Sequence, residues 1–450
     1  MSKFVEADQS QLFLLPPDIR DWIPDDDLAH FVLEAVERVD VSRFRINVRG
    51  TGSAQYHPRM MLSLLIYAYA NGVFGSRRIE RATYRDIGFR FLTADLHPDH
   101  DTIAKFRREN LAVFSECFLQ VLLLAKELKL LKVGTVSVDG TKIDANASKH
   151  RSLRYDRAQS LVKRLEADIA QLVDQADAAD SEDAVDPQSL PERLSKRERL
   201  KAQMDEACAR LEDQAKARAE RERAEYEKKV EAREQRKGRR KGKKIKPPDD
   251  QPKDDEQTNL TDPDSRLMRK NKRSEYRQSY NAQAVVDADG SQLVLGHRVS
   301  QCASDRNELS ADVSQIDPRV GQPSDVLADN GYANGDEVAD VQAAGIEVLV
   351  ATGRTDTERE YDFRPPQDAK VPAKNSVPWI VKMQEKLATE SGRDKYRLRQ
   401  QTVEPVFGIV KHVLGFRQFM LRGHSKVETE WCLVMLAYNT KRLHRMVQVA

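Results

Sequence analysis

The sequence predicts an α/β protein: a mixed sheet with flanking helices, interrupted after its first strand by a long helical insertion and preceded by an all-helical region. Three observations carry this. The stretch 133–145, VGTVSVDGTKIDA, is rich in Val and Thr with alternation, as a strand requires. Residues 279–350 then alternate short apolar runs with helix-like segments, the pattern of an α/β sheet. Between the two, Leu165, Ile169, Leu172 and Ala176 are spaced four, three and four apart, and Leu200, Met204, Ala207 and Leu211 repeat that spacing, which is heptad-like.

Residues 1–130 read as helical. In HPRMMLSLLIYAYANG, Pro58 stands near a helix start and Gly72 at its end. GSRRIERATYRDIG follows with Ser76 as the expected N-cap, then HPDHDTIAKFRREN with Asp101 as the expected cap of a short basic helix. Three short helices ending in a basic one suit a helix-turn-helix, whose last helix enters a DNA major groove. The plainer reading of this stretch is a small helical bundle with solvated Arg and Lys.

The insertion, 151–270, reads as two helices folding back as an antiparallel coiled-coil hairpin, broken by the acidic, proline-containing stretch DAADSEDAVDPQSLP. Its tail, REQRKGRRKGKKIKPP, is a basic run expected to lack fixed structure and able to grip phosphates without sequence preference. The sheet is therefore expected to comprise 131–150 and 271–450. In SYNAQAVVDADGSQLVLGHRVSQ, Asp289-Gly290 marks a hairpin turn between two strands. ELSADVSQI and GDEVADVQAAG read as helices, SDVLADNGY and IEVLVATG as strands, and 352–376 as a long loop. TVEPVFGIVKHVLG reads as a helix capped by Thr402, with Pro405 in its first turn.

Composition narrows the classes. A chain of 450 residues has length for roughly two to four domains. Its most apolar stretch, 60–70, is too short for a bilayer, which takes about 20 residues, so no membrane role is expected. MSKFVEADQS lacks the pattern of a secretion signal. Four scattered cysteines form no pair motif and suit a reducing cytosol. Net charge is only +2, so any nucleic-acid contact must come from local charge.

Three acids stand out. Asp139 is disfavoured in or beside a strand, although Val-Asp-Gly-Thr also suits a tight turn. Asp329 ends a strand, where ligands gather in open α/β sheets, although a turn cap is the plainer role. Glu404 lies at the edge of the apolar stripe Val403, Val406, Phe407, Val410 and Leu414, where it could equally serve the helix dipole. If the three meet, they need a cation between them. Oxygen donors alone favour magnesium or manganese. Two such ions support phosphoryl transfer on a polynucleotide.

SVDGTKIDA, YNAQAVVDADG, VLADNGY and YRLRQQTVEPVFGIVKHVLGFRQFMLRG together resemble the DDE-type transposases of bacterial insertion sequences. SRRIERATYRDIGFRFLTADLHPDHDTIAKFR is similar to the helical DNA-binding segment that precedes their catalytic domain. Tyr396, Arg399, Glu404 and Lys411 follow in the family's order, with Arg399 one residue further from Glu404 than the commonest spacing.

The resemblance implies a ribonuclease-H-like catalytic fold. It implies Asp139, Asp329 and Glu404 as catalytic metal ligands for Mg2+ or Mn2+, two ions in all. It also implies DNA contacts from Lys411, Arg399 and Tyr396, and from Arg77, Arg78, Lys105, Arg107 and Arg108. The partners implied are terminal inverted repeats and target DNA, with a homodimer or larger assembly on DNA, in the cytoplasm at the nucleoid. A non-catalytic scaffold derived from such an enzyme, and a nuclease without strand transfer, are the other readings.

Overall fold

The structure, a computed structural model, describes residues 18–46, 55–179, 189–234, 246–269, 273–353 and 377–449. The start of the chain, the core of the basic run after residue 234 and most of the predicted loop 352–376 lie outside these residues.

In chain order the helices α1 (Leu28–Glu37), α2 (Pro58–Ala70), α3 (Ser76–Arg85), α4 (Ile87–Leu92), α5 (His100–Glu109) and α6 (Leu111–Glu127) come first. Strand β1 (Thr135–Asp144), β2 (Ser152–Arg154), α7 (Tyr155–Ala179), α8 (Ser189–Glu234), β3 (Gln257–Asn259) and β4 (Arg266–Met268) follow. Then come β5 (Arg277–Asp287), β6 (Val294–Ser300), α9 (Leu309–Val313), β7 (Asp325–Ala328), α10 (Gly335–Ala343) and β8 (Glu347–Val350). Helices α11 (Pro378–Ala388), α12 (Glu390–Gly408) and α13 (His424–Val449) close the chain. Two compact units result: Met1–Ile143 with Asn281–Leu421 and Ser425–Ala450, and Asp144–Tyr280 with Arg422–His424.

The first unit is built on a mixed sheet. β5 lies beside β1, β1 pairs parallel with β7, and β7 pairs parallel with β8. β6 pairs antiparallel with β5. This is a mixed α/β sheet with flanking helices, consistent with a ribonuclease-H-like DDE domain. β1 and β7 are driven inward by Val136, Val138, Val326 and Leu327, all fully buried. Helix α13 buries Trp431, whose Nε1 donates to the Gln283 carbonyl of β5 at 2.9 Å. Asn439 on the same helix brackets Val294 of β6, accepting from its N–H and donating to its C=O at 2.8 and 2.7 Å. The side chain thus satisfies backbone groups that would otherwise be orphaned in the interior.

Several local expectations change. Helix α5 is capped by Asp99, not Asp101: its Oδ1 accepts from the N–H groups of Asp101 and Thr102, both at 2.9 Å. Gly75 is the N-cap of α3 and Ser76 its first residue. Thr402 and Pro405 lie inside α12, which starts at Glu390 under a Thr389 cap. Thr402 Oγ1 bonds back to the carbonyls of Leu398 and Arg399, a mid-helix habit of threonine that resembles a cap in sequence. Pro405 has no N–H to give the Gln401 carbonyl; Gln292 Nε2 supplies that bond instead, at 2.7 Å. A π-helical turn, Ile409–Val413, continues the helix.

Arg107, expected on a DNA-facing surface, is buried at 6% exposure. It donates to Tyr69 Oη at 2.8 Å and the Phe74 carbonyl at 3.0 Å. Tyr69 reaches Glu430, which also accepts from the N–H groups of Met420 and Leu421. Burial pushes the Glu430 carboxyl up, while Arg107 and the two amides hold it down. Arg107 is therefore buried as the counter-charge of a buried acid, not exposed beside Arg108 as expected.

The second unit carries α7 and α8 side by side. Tyr155 bonds Glu212, Lys201 pairs with Glu166, and Arg197 pairs with Asp168. Numbers rise along one helix as they fall along the other, so the two run antiparallel. Leu153, Ala158, Leu165, Met204 and Ala207 form their shared core. No helix among the described residues is long and apolar enough to cross a membrane.

Arg107→Ala should strip Glu430 of its counter-charge, and breaking such a buried pair costs about 3–5 kcal/mol. Urea unfolding of the variant should show that loss; an unchanged midpoint would place Arg107 outside the fold's support.

Candidate active site

Asp139 lies within β1, which runs on past it to Asp144, so Val-Asp-Gly-Thr is strand and not turn. Asp329 follows the last residue of β7 directly and caps the 3-10 turn Asn330–Tyr332, its Oδ1 accepting from Gly331 N–H at 2.8 Å. Because β1 and β7 are parallel neighbours, both acids emerge at the carboxyl end of the sheet. Glu404 comes from α12, beside a stripe in which Val403, Val406 and Val410 are wholly buried.

Helix α12 is fastened to β7 twice. Lys395 Nζ pairs with Asp325 at 2.7 Å, and Tyr396 Oη donates to the Ala328 carbonyl at 3.2 Å. One turn later, Arg399 points back over the strand ends. Its guanidinium reaches all three acids: Asp139 at 3.2 Å, Glu404 at 3.3 Å and Asp329 at 3.9 Å. The arginine is 11% exposed, and the acids range from 18% for Asp139 to 54% for Glu404. Arg399 Nε is buried without a hydrogen-bond partner among the described residues.

Burial pushes the Asp139 carboxyl up to about 7; Arg399 opposes that, while Asp329 and Asp305 add to it. Losing solvent outweighs the nearby cation here. Lys411, two turns beyond Glu404, donates to Thr141 Oγ1 and to the Lys142 carbonyl of β1. Tyr396, Arg399 and Lys411 are thus all engaged with the strand ends. Arg77, Arg78, Lys105 and Arg108 are exposed on α3 and α5 and share no contact with the three acids.

A fourth carboxylate, Asp305, was not legible as part of this site. Its Oδ1 accepts from Asn281 Nδ2 at 2.6 Å and Gln283 Nε2 at 2.8 Å, and Tyr332 Oη donates to Gln283 Oε1. Asn281 and Gln283 are fully buried two apart on β5. Two amides two apart on one face of a buried strand were the available signal. The loop that bears Asp305 is held at one end by Arg298, which pairs with Glu308 and Asp312. A Cβ at Gly140 would lie 2.5 Å from Gln283 Nε2 and 2.6 Å from Asp305 Oδ1, so any larger residue would have to displace these side chains.

Among the described residues, no group of three or more His, Cys, Asp or Glu side chains is spaced to hold a metal ion. The guanidinium between the three acids accounts for that spacing. The donor chemistry nonetheless fits a hard divalent cation. All the donors are carboxylate oxygens, as magnesium and manganese prefer, and a positive group already stands among them.

The raised Asp139 sets a pH dependence in the metal-free protein. Between roughly pH 4 and 7 the folded chain holds a proton that the unfolded chain has released. Stability from this group is full below that window and is lost as pH rises through it. With a chelator present, wild type should lose stability relative to Asp139→Asn across the window in urea unfolding. Parallel curves would contradict the raised value.

Two family models match the chain. One, described as "Transposase DDE domain", covers residues 254–440 and so includes Asp329 and Glu404. The other, "Transposase domain (DUF772)", covers 17–109 and so includes helices α1 to α5. No curated protein and no solved structure matches the chain. Two transposase models in this order, over a mixed sheet with these helices, carry the assignment: the chain belongs to the DDE-type transposases of insertion sequences.

Proposed function

We propose that the protein cuts DNA at the ends of a mobile element and joins the freed ends to target DNA, using Asp139, Asp329 and Glu404 as the ligands of two Mg2+ or Mn2+ ions. The observation that supports this most is the convergence of three carboxylates, from β1, from the end of β7 and from α12, on one cation. Bound divalent ions supply activation of a water or a 3′ hydroxyl and stabilisation of the leaving oxygen.

The chain's own residues do the rest. Arg399 leaves the acids for a DNA phosphate, to which a guanidinium binds in bidentate fashion. Lys411 holds the end of β1 and stands near the strand being cut. Tyr396 fixes α12 against β7 and so sets the distance from Asp329 to Arg399. Water attacks the phosphorus, and the bond to the 3′ oxygen breaks. The freed 3′ hydroxyl attacks a target phosphorus by the same displacement.

In this reading residues 1–130 bind the terminal repeats through Arg77, Arg78, Lys105 and Arg108, without Arg107. Residues 131–150 and 271–450 make the ribonuclease-H-like catalytic domain, and the 151–270 hairpin, with its coiled-coil spacing, supports pairing of two protomers on two ends.

The test is cleavage of DNA carrying the element's own ends, with magnesium. Removing one ligand forfeits a few kcal/mol of transition-state stabilisation, or about a thousandfold in rate. Asp329→Asn and Glu404→Gln should bind the DNA as wild type does and lose cleavage on that scale. Variants that cut at the wild-type rate would reject the three acids as ligands. Cleavage without joined product would favour a nuclease.

A further inference from the structure

The Asp144–Tyr280 unit has a groove between the first turns of α7 and residues 196–204 of α8, beside β2. Arg151, Arg157, Lys196 and Arg199 line it, and no Asp or Glu does. All four side chains are exposed, and none has an ion pair among the described residues. Elsewhere on these helices several cations are matched: Arg197 to Asp168 at 3.4 Å, Lys201 to Glu166 at 3.1 Å and Arg210 to Glu206 at 2.7 Å. Lys196 and Arg199 are one turn apart on the same helical face. The floor is apolar, with Leu153 and Met204 buried in the helix-pair core.

We propose that this groove is a second DNA site, which holds a duplex by its phosphate backbone and without regard to sequence. Four cations converging without carboxylates repel one another, and a polyanion relieves that repulsion. Three of the four are arginines, whose planar fork matches phosphate oxygens. Phosphates carry no sequence information, so contacts from these four cations position the duplex and do not select it. The insertion thereby adds affinity for DNA to that of the N-terminal helices. This rests on DNA being the substrate, as proposed above.

Each phosphate neutralised adds about 0.9 to the slope of log affinity against log salt for duplex DNA. The test is fluorescence anisotropy of the full chain with a labelled random duplex across a potassium chloride series. Replacing Arg151, Arg157, Lys196 and Arg199 by Ala should lower the slope by about 3 to 4. A control removes the same charge outside the groove, at Lys163, Arg164, Arg193 and Arg210, and should lower it by less than about 1.

Equal slopes for the two variants, or a wild-type slope in the groove variant, would overturn the proposal. Circular dichroism checks that both fold. If the fourfold variant does not, Arg199→Gln alone should lower the slope by about 0.9, and no change would count against the groove. A wild type that binds with the full slope but never cuts would defeat the cleavage reading and leave the groove standing.

Discussion

One guanidinium governs the candidate site. Asp139, Asp329 and Glu404 approach closely enough to repel, and Arg399 stands within 3.9 Å of each. Without a positive group there, three ionised carboxylates at the end of a sheet could not share the space. The arginine does not fully compensate Asp139, whose carboxyl stays well above the ordinary range because it is the most buried of the three. The site is thus short of positive charge even with Arg399 in place. A divalent ion would supply more charge than the arginine does, and would free it to meet a phosphate.

The scaffold serves that arrangement. Parallel pairing of β1 with β7 brings two acids to one sheet end. The third arrives on α12, and its position depends on a long helix crossing Pro405 without breaking. Gln292 makes that crossing possible by accepting the duty of the missing N–H toward Gln401. Lys395 and Tyr396 then fix the helix against β7. Beneath, the amides of Asn281 and Gln283 hold Asp305 close against Gly140.

Much of this was legible in the sequence because period is a strong signal. The alternation in VGTVSVDG marked β1, the apolar run that stops at Asp329 marked β7, Asp289-Gly290 marked the β5–β6 hairpin, and the buried stripe of Val403, Val406, Phe407, Val410 and Leu414 appeared as expected. Chain order alone did not give what tertiary contacts decide. Thr402 and Pro405 look like a helix start, and the partner that lets Pro405 lie inside a helix, Gln292, is over a hundred residues away. Arg107 looked like its exposed neighbour Arg108, since nothing local announces Glu430 beneath it. Asp305 sits in a loop whose partners lie on β5. For Pro405, Arg107 and Asp305, the deciding partner is distant in sequence.

The most direct measurement is a crystal structure with manganese, located by its anomalous signal. The account predicts manganese among Asp139, Asp329 and Glu404, with all three carboxylates drawn in and the Arg399 guanidinium displaced from between them. Manganese bound elsewhere, with Arg399 still bridging the three acids, would contradict it.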